Sequence, residues 1–439
     1  MSRQIQEERS ETAFADFKPP LTRDQAVVEA NRCLYCTDAP CVKACPTHIE
    51  IPQFIRKIAT GNVKGSARTI FESNIFGMSC ARVCPVEVLC VGDCVYNEMG
   101  VPPIQIGKLQ RYATDMAFAE KWEFFQAGPD TGKKVALIGG GPASLACAHE
   151  LRRAGHATTI FEKRASLGGL NTTGVAPYKM RADKSVEEVE WILGIGGIEV
   201  KTGVEVGKDI SFADLEKQYD AVFFGAGLGP DSRMSVPGED LPGVVGAVDW
   251  IEKMKLGKVP MTGVKRVVVV GGGNTAIDAV REAIGLVPAE SEVVMVYRGQ
   301  EDRMSGYAHE WKAAKVEGAR ALWQAIPVAF EGSGKVERVR CQRLDANKKP
   351  IAGFELTIDA DLVLVAIGQS KLGAMLASLG GIQIESGKVV TDDRGGTGRK
   401  GWFAGGDARN GGKEVVNAAA EGKAAALAIH DFLSGGSRG

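Results

Sequence analysis

Cys33, Cys36, Cys41 and Cys45 stand in the run CLYCTDAPCVKACP, spaced C-x2-C-x4-C-x3-C-P. Cys80, Cys84, Cys90 and Cys94 follow in CARVCPVEVLCVGDC. Thiols this dense form disulfides or hold metal. Disulfides need an oxidising compartment, and the polar N-terminus MSRQIQEERSETAFADFKPP lacks the apolar core of an export signal. Metal is the better reading. Zinc takes C-x2-C knuckles in pairs, whereas the compact run closed by proline suits a [4Fe–4S] cluster, whose last cysteine often serves a neighbouring cluster. Cys147 and Cys341 lie alone in later apolar segments.

The second chemistry is nucleotide binding. KKVALIGGGPASLACAHELRRAGHATTIFE places an apolar strand, Val135 to Ile138, ahead of a glycine turn and a helix from Ala143 to Ala154. Gly139 and Gly141 permit the tight turn and the close approach of a pyrophosphate. The backbone N–H groups around Pro142, Ala143 and Ser144 then open a helix toward that anion. Ser144 replaces the third glycine of the fingerprint. Glu162 ends the next strand, Ala157 to Phe161, where an acid accepts from an adenosine ribose. A second unit, RVVVVGGGNTAIDAVREA, repeats the pattern with Gly271, Gly273, Asn274, Thr275 and Ala276. Its following strand, Glu292 to Tyr297, ends on Arg298, with Arg303 nearby and no acid before Glu301. Arginine there accommodates the 2′-phosphate of NADPH, so NADPH is expected over NADH.

Two dinucleotide sites in one chain are economically explained by FAD in the first and a nicotinamide nucleotide in the second. The cofactors carry hydride chemistry and no acid–base constellation is needed. A flavin beside iron–sulfur clusters makes functional sense, since it accepts two electrons as hydride and releases them singly. Further contacts come from the ends of strands. Gly168-Gly169 with Leu170 forms a turn that passes under a flavin. DAVFFGAG ends on Gly227 and its echo DLVLVAIG on Gly368. GWFAGGD delivers Gly406 and Asp407, the latter for ribityl hydroxyls. The helix that follows, with Val416 and Asn417 in its first turn, aims its positive end at the isoalloxazine.

The elements that position these groups follow from pattern. Residues 1 to about 20 read as a flexible arm, and Leu21 to Asn31 as an amphipathic helix delivering the chain to Cys33. Ile51 to Ala59, Lys64 to Ser73 and residues 105 to 124 read as further helices, and Gly128 to Gly132 as a linker. The second nucleotide unit is expected inside the first, which resumes near residue 369; two unrelated α/β domains are the alternative. The chain has 439 residues, 44% hydrophobic and 24% charged, with net charge −1. That balance argues for no nucleic-acid partner. No run nears the roughly 18 apolar residues of a membrane span, and a cytoplasmic protein is expected.

From LTRDQAVVEANRCLYCTDAPCVKACP through CARVCP, IGGGPAS, GGGNTAID and FAGGD, the chain resembles the family of glutamate synthase small subunits and dihydropyrimidine dehydrogenase. It most resembles the branch of separate NAD(P)H-oxidising subunits of the bacterial pyrimidine enzyme. That resemblance rests on Cys80 before RVCP and on the stretch from Ile106 to Tyr112; MSGY after the VYR stretch is more like glutamate synthase. The resemblance implies an α-helical ferredoxin-like domain (1–127) with two [4Fe–4S] clusters. Two Rossmann-like, glutathione-reductase-like domains follow: FAD-binding (128–245 and 369–439) around NAD(P)H-binding (246–368). It implies ligation of one cluster by Cys33, Cys36, Cys41 and Gln110 and of the other by Cys45, Cys84, Cys90 and Cys94, leaving Cys80 a free thiol. Electrons would pass from NAD(P)H to FAD and through both clusters to an FMN-containing catalytic subunit that reduces pyrimidines. The alternatives are a glutamate synthase small subunit, a stand-alone NAD(P)H:acceptor oxidoreductase and a redox sensor.

Overall fold

The structure, a computed structural model, describes residues 5–372, 375 and 379–435. It begins with a helical domain. In the helix Ile51–Ala59, Ile51, Phe54, Ile55 and Ile58 share one face and are buried. Pro52 sits in the first turn, where its missing N–H costs nothing. The helix Arg23–Asn31 is closed at its start by a capping box: Thr22 Oγ1 accepts from Gln25 N, and Gln25 Oε1 from Thr22 N. The helices Val63–Ser73, Gly77–Val83 and Ile106–Ala119 complete the layer.

Residues 5–18 do not form the expected flexible arm; residues 1–4 lie outside the described residues. Gln6 N and Ser10 N donate to the carbonyls of Leu256 and Gly257, and Phe17 N to that of Tyr178. Glu11, fully buried, accepts from Ala182 N. Arg111 holds Asp16 at 2.6 Å. A polar sequence reads as solvated until its partners on distant segments are known.

Two five-stranded parallel sheets follow. The first consists of β1 (Lys134–Ile138), β2 (Ala157–Glu162), β3 (Ile198–Thr202), β4 (Ala221–Phe224) and β15 (Trp402–Ala404), in the order β15-β4-β1-β2-β3. The second contains β5 (Val244–Gly246), β6 (Arg266–Val270), β7 (Glu292–Tyr297), β8 (Arg320–Trp323) and β12 (Leu362–Val365), in the order β5-β12-β6-β7-β8. The orders correspond strand for strand. DAVFFGAG and DLVLVAIG hold the same place, beside the strand that leads into each glycine turn. The second unit lies within the first, and its two connections run side by side: Gly229 N donates to Ser370 O and Ser232 N to Gly368 O. β5 pairs with β12, which places Val244–Gly246 at the edge of the second sheet.

An antiparallel sheet, β9 (Ala325–Glu331), β10 (Arg338–Leu344) and β11 (Pro350–Asp359), was not legible in the sequence. Val339 and Cys341 alternate inward on β10, which accounts for that lone cysteine as core; Cys147 is likewise buried. One apolar core runs through the helical domain into the first sheet. Phe71 and Trp191, with ring centroids 4.6 Å apart, join the two. Two short strands, β13 (Ile384–Glu385) and β14 (Lys388–Val389), close a hairpin, and the helix Val415–Leu433 ends the fold.

Candidate functional site

At the first glycine turn, Gly139 has φ +90°, and a Cβ there would lie 2.6 Å from Gly225 O, so only glycine fits. A Cβ at Gly141 would meet no protein atom within 4 Å. The chain leaves its backbone open there, as a pyrophosphate site requires. Pro142 begins the helix Pro142–Arg153. Ser144 Oγ is buried with no partner among the described residues. It fits because Gly225 faces it: a Cβ on Gly225 would stand 2.3 Å away. The closeness that a third glycine would provide comes from the neighbouring strand end.

Glu162, at the end of β2, is buried and accepts from Gly140 N and Arg164 N, each at 2.7 Å. A carboxylate has further acceptor sites for a ribose hydroxyl. The Gly169 turn lies on the first loop, with Gly168 N donating to Gly140 O at 2.8 Å. A Cβ on Gly169 would be 3.0 Å from Gly141 Cα. Just beyond Leu170, Asn171 Oδ1 is buried without a partner among the described residues. Its amide donates to Ser79 Oγ at 2.9 Å, and Ser79 donates to the buried Glu188. This polar chain links the first nucleotide unit to the helix Gly77–Val83, which sequence reasoning missed.

Asp407 is raised above the ordinary carboxyl range by burial and accepts from Lys413 N at 3.3 Å. Gly406 lies against the first loop, where a Cβ would be 3.0 Å from Ala143 Cβ. Val416 is buried. Asn417 turns back to its own helix end, its Oδ1 accepting from Glu414 N at 3.2 Å. Gly227 and Gly368 face open space beyond β4 and β12.

The second loop repeats the logic. A Cβ at Gly271 would lie 2.2 Å from Ala366 O, whereas Gly273 has only Ser305 Oγ, at 3.6 Å. Asn274 Oδ1 accepts from Tyr307 N, Thr275 is half-buried and Ala276 is fully buried. Arg298 and Arg303 are exposed, and among the described residues neither guanidinium has an ion-pair partner.

The cysteines fall into two groups that differ from the expected ones. Cys33, Cys36 and Cys41 line one pocket together with Cys94. Tight turns after Leu89 fold Cys94 back, and Tyr96 OH donates to Arg32 O at 2.6 Å, tying Cys94 to the Cys33 loop. Gln110 is buried elsewhere. Its Nε2 donates at 2.8 Å to Gly77 O, on the helix whose C-cap is Cys84. Cys94 and Gln110 therefore exchange groups relative to the expectation. The chain folds back on itself after Leu89, which spacing does not reveal.

Cys80 packs on Cys84, whose thiol is raised well above its ordinary value by that contact and then by burial. Burial lifts Cys90 well above and Cys41 to about 12. Thiols so placed ionise only when a metal compensates them. Among the described residues no three such side chains converge on one ion. In the first group Cys33, Cys36 and Cys41 are half-buried and Cys94 is buried, with Leu34 53% exposed beside them; the second group, Cys45, Cys80, Cys84 and Cys90, is buried throughout. The second adjoins the nucleotide units: Glu414 acts on Cys84, and Glu87 stands 3.5 Å from His309.

Residues 133–422 match the pyridine nucleotide-disulphide oxidoreductase family. The chain belongs to it. Residues 9–122 match domain II of dihydropyrimidine dehydrogenase, a 4Fe-4S cluster domain. The oxidoreductase is 36% identical to the glutamate synthase [NADPH] small chain of Halomonas elongata, over 96% of this chain and 93% of that one. It is 33% identical to the NAD-dependent dihydropyrimidine dehydrogenase subunit PreT of Escherichia coli, over 96% and 97%. FprA of Mycobacterium tuberculosis, solved in complex with NADPH, shares the nucleotide-binding fold: TM-score 0.57 at 19% identity, over 70% of this chain and 85% of that one. The chain is thus an NAD(P)H-dependent oxidoreductase with FAD and 4Fe-4S clusters. Among the described residues no helix is long and apolar enough to cross a membrane.

Proposed function

We propose that this oxidoreductase is the electron-input subunit of a two-component enzyme. It draws hydride from NADPH onto FAD and sends single electrons through two [4Fe–4S] clusters to an FMN-containing partner that reduces pyrimidines such as uracil and thymine. The observation that carries this reading is the grading of the cysteines. The buried group lies beside the nucleotide units at His309 and Glu414, and the other group, three of its four thiols half-buried, reaches the surface at Leu34. A conduit needs that order.

FAD would lie along Gly139, Gly141, Ser144, Glu162, Gly169 and Asp407, and the nicotinamide nucleotide along Gly271, Gly273 and Asn274 with Arg298 and Arg303 on its phosphate. Cys33, Cys36, Cys41 and Cys94 would hold the outer cluster. Cys45, Cys84, Cys90 and Gln110 would hold the inner one. When bound, the flavin supplies the exchange between a two-electron donor and one-electron carriers. The protein's part is to orient the nucleotides and keep water from the buried thiolates. Gln110 supports the pyrimidine branch, since a glutamine ligates iron at the corresponding place in those enzymes.

A second reading, the small subunit of an NADPH-dependent glutamate synthase, is favoured by the 36% identity to that chain. Purification from the native source followed by cross-linking separates them. A partner that binds FMN and consumes NADPH with uracil supports the first reading. A glutamine-dependent synthase subunit overturns it.

A further inference from the structure

Tyr307 OH donates to Glu414 Oε1 at 2.8 Å, and this bond crosses from one nucleotide unit to the other. Tyr307 ends a segment laid over the second glycine loop. Gly306 N donates to Gly272 O at 3.0 Å and Tyr307 N to Asn274 Oδ1 at 2.9 Å. A Cβ on Gly306 would stand 3.1 Å from the carbonyl carbon of Gly273, so the segment is pressed onto the loop. Glu414 is the N-cap of the helix Val415–Leu433. That helix passes the first loop at Gly422, where a Cβ would lie 2.1 Å from Ala143 O. Val415 lies about 10 Å further along the axis, at about 1.5 Å per residue. The bond therefore stands across the gap between the two loops.

A nicotinamide nucleotide held at the second loop must lay its reactive ring on a flavin held at the first. Its path crosses this gap. We infer that Tyr307 and Glu414 form a latch over the nicotinamide path, one that an incoming nucleotide has to break. The inference rests on the placement of FAD and NADPH proposed above. Tyr307 is then a positioning residue that sets nucleotide affinity, because apparent affinity falls with the fraction of protein in the open form. Burial, reinforced by Glu414, raises Tyr307 above the ordinary phenol value, so the donor keeps its proton. Opening is local. Beside the bond the units are also joined by Lys179, which holds Asp278 at 2.9 Å and Glu310 at 2.7 Å, and these three charges act on Glu414.

The test uses the full chain loaded with FAD and clusters. Dissociation constants for NADP⁺ are read from the flavin difference spectrum for the unaltered protein, Tyr307→Phe, Glu414→Gln and the double variant. Each single change is expected to tighten binding about fivefold or more, as loss of one charge-assisted hydrogen bond implies. The double variant should bind no tighter than the better single one, because both remove the same bond. Unchanged or weaker binding in Tyr307→Phe, or a double-variant gain equal to the product of the single gains, overturns the latch. If either single variant fails to retain flavin, the other decides. Bleaching of the flavin by NADPH in the unaltered protein checks the underlying placement separately. Without bleaching that placement fails. With bleaching and no tightening, only the latch fails.

Discussion

At the scale of single residues, Arg298 is the group proposed to read the 2′-phosphate of the nucleotide. Its guanidinium is exposed at the end of β7, with no ion-pair partner among the described residues. A free guanidinium suits a bidentate phosphate contact. Arg298→Ala is expected to raise the KM for NADPH about tenfold or more while that for NADH changes little. Equal effects on both would remove the phosphate from the reading. Gln110 and Cys80 make opposite demands on iron. With Gln110 tied to Gly77 O and Cys80 packed on Cys84, both adjoin the buried group, and counting thiols alone would choose Cys80. Cys80→Ala is expected to leave the iron content unchanged. Gln110→Ala should disturb the spectrum of one reduced cluster while the flavin is still bleached by NADPH. Loss of a full cluster in Cys80→Ala, with Gln110→Ala silent, would reverse that assignment.

At the scale of elements, glycine is used where helices meet. Gly422 lies inside the helix Val415–Leu433, and an exposed helical glycine would gain about 1 kcal/mol on replacement by alanine. Here the new methyl would strike Ala143 O, at 2.1 Å. Gly422→Ala is therefore expected to lower Tm and weaken FAD retention, both read from flavin fluorescence during thermal unfolding; a raised Tm would mean the helices part at no cost. Most elements were legible because burial follows local period. β6 and β7 run over the expected residues, and the helix Ile51–Ala59 shows its apolar face in the sequence. What stayed hidden depends on distant partners. β11 is exposed along most of its length and lacks an inward alternation. The Cys94 fold-back depends on Tyr96 reaching Arg32, and the room for Ser144 depends on Gly225 across the sheet. Glycine loops announce themselves by composition, whereas the grouping of thiols is decided by chain reversal.

At the scale of the molecule, the N-terminal segment and Lys255 tie the domains together, and their electrostatics carry a pH signature. Lys255, in the inserted unit, is fully buried and donates to Val175 O at 2.6 Å and Met180 O at 2.8 Å, in the first unit. Glu11, on the N-terminal segment, stands 3.8 Å away and is also fully buried. Burial pulls the Lys255 ammonium down to about 8, against the opposing pull of Glu11 and Glu282. The unfolded chain holds the same proton to a pH of about 10.4. Below pH 8 both states are charged, and the cost of burying the ammonium is present in full. Between about 8 and 10.4 the unfolded state binds more protons than the native one, so this group makes stability rise with pH. In Lys255→Met that contribution vanishes. The Tm difference between Lys255→Met and the unaltered protein should stay constant below pH 8 and shift in favour of the unaltered protein above it. Glu11→Ala leaves the ammonium without its carboxylate and Ala182 N without its acceptor, at a cost of about 3–5 kcal/mol. It should also move the onset of the Lys255 effect to lower pH, and amide exchange should rise at Ser10, whose N–H now donates to Gly257 O. A Glu11→Ala protein with an unmoved onset and a protected Ser10 amide would show that the segment is held by its backbone contacts alone and that the lysine is not linked to it.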